Sequence, residues 1–381
     1  MPASNAAWLR FPDKLPLMDF KGRQQRLRES LDSAKLDILL LTHPPNIRYL
    51  SGFTGSAGAL LLTPEKVLFF TDGRYTEQAH AEVQGAHIVI SKKPPIAAAA
   101  AWMEAHASTR KKTPTILGIE GDHFTVAQRS RLRQQLPRSF RVAEAPAMVE
   151  RMRMVKDEDE IQCIRAAVIL GAGLFDTALK TIHPGLKESE VAAEMEYEAR
   201  RAGAEDMSFP TIIASGTRSA LPHGRASSAR IPPRGFVVCD FGVILTGYCS
   251  DMTRTVYVGR PTAEARNIYN AVLEAQEAAV HTVQPGVGVA EVDGAARRVL
   301  KKKGLGRFFT HSTGHGVGLE IHEAPRVARA VTEILQPGMV ITIEPGAYIA
   351  GTCGVRIEDM LVVTERGFKV LTPTSKELIC L

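Results

Sequence analysis

Two spacings of apolar residues divide this chain. Over the first 150 residues, short apolar runs at 36–41, 59–62, 67–70, 88–90, 115–119 and 141–143 alternate with stretches of mixed polarity at 21–35, 97–107 and 126–135. Runs of that length predict strands and the mixed stretches predict helices, so the alternation predicts an α/β domain over residues 1–150. Pro44-Pro45 stops the first run, and Thr63-Pro64-Glu65-Lys66 joins the next two as a hairpin.

From about residue 150 the helical stretches lengthen. Asp157 with Glu160 three residues on has capping-box spacing and predicts the start of a long helix, which Pro184-Gly185 ends. A second helix is predicted over 188–202, and 208–224 reads as a strand leading into a Gly-rich loop that presents His223. Helices recur at 263–283 and 289–303, followed by a His-rich loop and the last strands. Pro184-Gly185, Glu190-Val191 and Gly203 recur as Pro285-Gly286, Glu291-Val292 and Gly304, each 101 positions on. A constant offset predicts an internal repeat, here two helices followed by strands, across a pseudo-two-fold axis within residues 151–381.

Acids that interrupt the apolar runs carry the chemistry. Asp240 closes Phe236-Val237-Val238-Cys239, and Asp251 follows Tyr248-Cys249-Ser250. Burying an isolated carboxylate costs several kcal/mol unless something positive neutralises it. Residues 337–346, PGMVITIEPG, repeat the turn, run, acid and glycine, with Glu344 in the place of Asp240. Glu358 then follows in GVRIED as Asp251 followed Asp240. Half-domains facing each other would bring four acids together, a cluster that requires cations and suits two divalent ions bridged by oxygen. His315, among the glycines of THSTGHGVG, offers a nitrogen. Taken singly, each acid also fits a turn cap or a pair with a neighbouring Arg.

Composition narrows the classes. Apolar content of 45% and charged content of 23% exclude a disordered chain. The formal charge of +6 is spread thinly, and the densest basic stretches, Arg110-Lys111-Lys112 and 129–141, lack interleaved aromatics. They predict solvated faces and no nucleic-acid partner. Five cysteines, odd in number and without a CxxC pair, indicate a reducing compartment, so the expectation is a cytoplasmic protein. Cys239, Cys249 and Cys353 read as small core residues. The first twenty residues have no uninterrupted apolar stretch and read as a loose leader. No later segment is expected to be long and apolar enough to span a bilayer, so no membrane partner is expected.

At Asp240, Asp251, His315, Glu344 and Glu358 the chain resembles the pita-bread metallopeptidases. YLSGFTGSAG and TDGRYTEQA resemble the creatinase-like front domain of aminopeptidase P and prolidase, and are nearer to aminopeptidase P. The resemblance implies an α/β creatinase-like domain over 1–150 and an α+β pita-bread catalytic domain over 151–381. It implies those five residues as metal ligands, with Asp251 and Glu358 bridging, Asp240 mainly on one ion, and His315 and Glu344 on the other. Mn²⁺ suits oxygen-rich ligation best, and Co²⁺ or Zn²⁺ also tolerates it. A water bridging two such ions is acidified to the nucleophilic hydroxide.

By the same resemblance, His223 in ALPHG and His322 in EIHEAP stabilise the tetrahedral intermediate and move protons, a task Glu344 shares. His311 is implied to line a proline pocket, with a salt bridge or core hydrogen bond as the alternative. Arg356 lies two residues before Glu358, on the same side of a strand. It orients a ligand carboxylate, meets a substrate carboxylate, or offsets the repulsion of the acids. The implied reaction is that of an Xaa-Pro aminopeptidase on proline-containing peptides. An Xaa-Pro dipeptidase, or prolidase, is the alternative. A non-catalytic binding module or a metal-free creatinase-type enzyme would have lost ligands that are present here. A homodimer or homotetramer completes the expectation.

Overall fold

The computed structural model describes residues 18–106 and 113–381. Most of the expected leader, and Arg110-Lys111-Lys112, lie outside them. The chain forms two compact units that divide between Arg153 and Met154.

The front unit is built on a six-stranded sheet. Its order is His87–Ser91, Val67–Asp72, Ala59–Leu62, Ile38–Leu41, Thr115–Glu120, Phe140–Ala145. The three strands from Ile38–Leu41 to Val67–Asp72 are antiparallel neighbours, and the remaining pairings are parallel. The central strands are apolar on both faces because helices cover them: Ala98, Ala99 and Leu132 pack on Leu40, Leu61, Phe70 and Leu117. Pro44-Pro45 ends the first strand, yet it opens a helix, Pro44–Ser51. Proline's fixed φ and missing N–H suit a first helical turn, so one dipeptide performs both tasks. Gly52, at φ +83°, closes that helix.

The second unit carries the repeat. Its first half has helices Glu158–Thr181 and Glu188–Arg201, then antiparallel strands Ile212–Ser215, Gly235–Phe241 and Met252–Val258. Its second half has helices Ala263–Thr282 and Val289–Lys302. There the short strand Gly314–Gly316 lies between Glu323–Val327 and Val340–Ile343, which pairs in turn with Asp359–Thr364. The Asp157 and Glu160 capping box is formed in full. The turn glycines match across the offset. Gly185 and Gly286 both sit at φ +86°, and each donates its N–H at 2.8 Å, to Ile231 and Leu335 respectively. Each half has its own apolar core.

One expectation is corrected here. Glu158–Thr181, with 24 residues and a mean hydropathy of 1.4 over its most apolar window, is long and apolar enough to cross a membrane by length and composition. Within the unit 67% of that window is buried, with Leu170, Leu174 and Phe175 packed on Ile213, Val237 and Phe241. It is the core helix of the first half.

Candidate metal centre

The strands deliver the acids to one place. Asp240 sits near the end of Gly235–Phe241, opposite Thr253 and Ile212. Asp251 lies in the break before Met252–Val258, Glu344 just past Val340–Ile343, and Glu358 in the break before Asp359–Thr364. His315 is the middle residue of Gly314–Gly316. Its flanking glycines are required by backbone proximity, since a Cβ at 314 would lie 1.9 Å from the Thr342 carbonyl and one at 316 lies 2.2 Å from that of Ala324. All nine residues singled out in the sequence line a single cavity of about 620 Å³: Asp240, Asp251, His315, Glu344 and Glu358, with His223, His311, His322 and Arg356.

The donor set fits divalent cations. His315 Nε2 stands 3.6 Å from both Asp251 Oδ2 and Glu344 Oε1, and ligand atoms of Asp251, His315 and Glu358 all lie within 4.8 Å of one another. Donors each about 2.1 Å from a common ion stand roughly 3–4 Å apart. Burial, then repulsion from Glu358, Asp240 and Glu344, pushes the Asp251 carboxyl well above the usual range. Glu358 is raised in the same way, by burial and then by Glu344 and Asp240, and burial lifts Glu344 to about 8. Buried Asp251 Oδ1 has no hydrogen-bond partner among the described residues. Arg356 offsets them only in part, so acids so arranged call for further positive charge.

Histidine protonation agrees. Burial, reinforced by His322, lowers His315 to about 4, so its imidazole is neutral, and its Nδ1 faces the Gly316 carbonyl at 3.1 Å. That contact leaves Nε2 as a lone-pair donor toward the acids.

Around this centre, Arg356 is already spent on the protein. Its guanidinium donates to Asp240 Oδ2, to the Tyr348 hydroxyl (2.6 Å), to the Pro222 carbonyl (2.9 Å) and to Thr253 Oγ1 (3.1 Å). It therefore braces Asp240 and offsets the acids, and four of its five N–H donors are unavailable to a substrate carboxylate. Tyr348, which the sequence did not flag, orders the next contact. Its hydroxyl accepts from Arg356 and so donates to His311 Nε2 at 3.0 Å, leaving His311 Nδ1–H for the Ser312 carbonyl at 2.8 Å. Burial and Arg356 hold His311 neutral, near 4, while burial keeps the Tyr348 phenol protonated, near 12. His322 stacks edge-on against His315 at 4.4 Å between ring centroids. Its neighbour Glu323 is fixed by a buried pair with Lys156 at 3.0 Å. Arg225 and Arg326 also line the cavity, and their side chains have no partner among the described residues.

Cys239 and Cys249 are buried, and burial pushes their thiols up to about 12. Cys353 is only partly buried and packs at the edge of the second half's core.

Comparison with known proteins agrees with this geometry. Residues 162–365 match the metallopeptidase family M24, and residues 23–155 match the creatinase/prolidase N-terminal domain. The chain belongs to metallopeptidase family M24. As an M24 metallopeptidase it combines a creatinase-type front domain with a pita-bread catalytic domain, and its family implies divalent metal ions. It is 38% identical to the Xaa-Pro dipeptidase of Pyrococcus furiosus, over 94% of this chain and 100% of that protein. The Xaa-Pro dipeptidase from Bacillus anthracis superposes with a TM-score of 0.90 at 41% identity, covering 95% of this chain and 100% of the other. The X-Pro aminopeptidase from Thermotoga maritima MSB8 superposes at 0.85 and 34% identity, covering 94% and 100%.

Proposed function

We propose that this chain is an Xaa-Pro dipeptidase holding two divalent ions, Mn²⁺ by preference, on Asp240, Asp251, His315, Glu344 and Glu358. The front-domain motifs had pointed first to the aminopeptidase, but relatives named Xaa-Pro dipeptidase match this chain over their whole length. The observation that carries the choice is the pair Arg225 and Arg326 on the cavity wall. A dipeptide ends in a free carboxylate that needs such cations, whereas the middle of a longer peptide offers none. The aminopeptidase reading keeps support from the Thermotoga maritima protein.

When bound, the ions supply Lewis acidity and a water acidified for attack. The protein's own residues do the rest. Glu344 takes the proton of the attacking water. His223 and His322 donate to the oxygen that gains charge and pass a proton to the leaving proline nitrogen. Neutral His311, oriented by Tyr348, walls the proline side. Arg326 and Arg225 hold the terminal carboxylate, which excludes longer chains. The resemblance also carries a homodimer or homotetramer in the cytoplasm, checked by light scattering and fractionation.

The test is hydrolysis of Ala-Pro, Ala-Pro-Ala and Ala-Ala-Ala by Mn²⁺-loaded protein. Turnover of Ala-Pro alone, with KM raised by Arg326→Ala, is expected. Release of free alanine from Ala-Pro-Ala at comparable kcat/KM would establish the aminopeptidase instead.

A further inference from the structure

A second concavity, of about 790 Å³, lies outside the metal cavity. Five cations line it, namely Arg297, Arg298, Lys301, Arg307 and Arg329, and no acid lines it among the described residues. Residues 294, 297, 298 and 301 fall at i, i+3, i+4 and i+7 of the helix Val289–Lys302, so they share one face. Gly294 makes that face usable: a Cβ there would stand 3.0 Å from Arg298 Nη1, so its absence gives the guanidinium room to lie along the helix. Gly304, at φ +76°, ends the helix and turns the chain back to bring in Arg307.

Cations at a helix C-terminus ordinarily offset the helix dipole. That explains Lys301, but not Arg307 and Arg329, which come from other segments. Asp293 neutralises Arg297 at 2.7 Å, which leaves Arg298, Lys301, Arg307 and Arg329, and the nearby Glu274 is engaged with Lys303 at 2.6 Å. These four cations have no counter-charge among the described residues and repel one another, and the three guanidinium forks of Arg298, Arg307 and Arg329 in one hollow match the geometry of a multiply charged oxyanion. A monocarboxylate would leave most of them uncompensated.

We propose that this hollow binds a polyvalent oxyanion of the phosphate class. The site borders the metal cavity through Arg297, which donates to the Phe309 and His311 carbonyls at 3.2 and 2.5 Å while its guanidinium lies 4.3 Å over the Phe309 ring. The binding claim stands whichever peptide the enzyme cleaves.

Calorimetric titration of pyrophosphate into the chelator-treated full chain tests it, since without metal the acidic centre repels the anion. One saturable site is expected, weakened at least about tenfold in Arg298→Ala/Arg329→Ala with an unchanged melting temperature. Should that double variant melt early, Lys301→Ala alone is expected to weaken binding in a stably folded protein. Equal affinity in wild type and in these variants, or no saturable binding, overturns the proposal. ADP in place of pyrophosphate distinguishes the source of the phosphate. Binding tighter by more than about threefold assigns a nucleotide's phosphoryl groups, and equal affinity assigns the free oxyanion.

Discussion

The two halves of the catalytic unit share helices, turn glycines and acids, but they hold those acids differently. Asp240 lies within its strand, whereas Glu344 lies just beyond the end of its own, shorter one. The first half reaches the centre with carboxylates alone, while the second adds His315. Each half also fastens the other. Thr253 of the first half donates to Glu358 at 2.7 Å and accepts from Arg356, and Arg356 of the second half grips Asp240. Thr255 Oγ1 donates to the Arg356 carbonyl at 2.8 Å, and Glu358 N–H donates to the Thr253 carbonyl at 3.1 Å. The repeat duplicated a scaffold; the site exists only where the copies meet.

If that is right, removing a ligand and removing a reacting group should separate cleanly. Asp251→Asn takes away the acid that the rest of the centre leaves unpaired, so metal content and activity should fall together, with kcat/KM lower by roughly a thousandfold or more. His223→Ala should keep its metal and lose roughly a hundredfold or more in kcat. Elemental analysis beside steady-state kinetics reads both. Full metal retained in Asp251→Asn would break the picture of a shared centre.

The next effect is on stability. Glu344 is held near 8 without metal, against an ordinary value of 4.5, with burial as the main cause. An acid whose pKa is raised by folding stabilises the fold most below its unfolded value, and that contribution is lost as pH climbs through the folded one. Metal-free protein should therefore lose stability between about pH 4.5 and 8, and Mn²⁺ should restore more at pH 8 than at pH 5. Melting curves at both pH values with and without Mn²⁺ decide it, and a larger gain at pH 5 would refute the account.

The smallest expected effect is the most specific to the seam. Thr253→Val keeps shape but deletes the hydroxyl shared by Glu358 and Arg356, at a cost of about 1–3 kcal/mol measured by denaturant unfolding. Glu358→Gln combined with Thr253→Val should cost less than the sum of the two single changes. Strict additivity would mean the two halves are not coupled there.

Much of this was legible in the sequence because carboxylates inside apolar runs have few uses, and because the 101-residue offset marks a repeat. The α/β front sheet followed from the alternation of runs. The residues that escaped notice do so for a physical reason. Tyr348 acts through partners at 311 and 356, and nothing adjacent to it in sequence marks its hydroxyl as buried. Arg225 and Arg326 resemble any surface arginine until the cavity wall is seen. Pro44-Pro45 marks the end of a strand without showing the helix it opens, because proline both ends strands and begins helices.

The core helix Glu158–Thr181 has a consequence for biosynthesis. Its strand partners extend to Cys249, 68 residues after Thr181 (249 − 181). At about 5–20 residues per second, a segment apolar enough to pass for a membrane span waits about 3–14 s on the ribosome before its cover is synthesised. During that interval the nascent chain presents the same surface that draws hydrophobic segments to chaperones and to the secretion machinery.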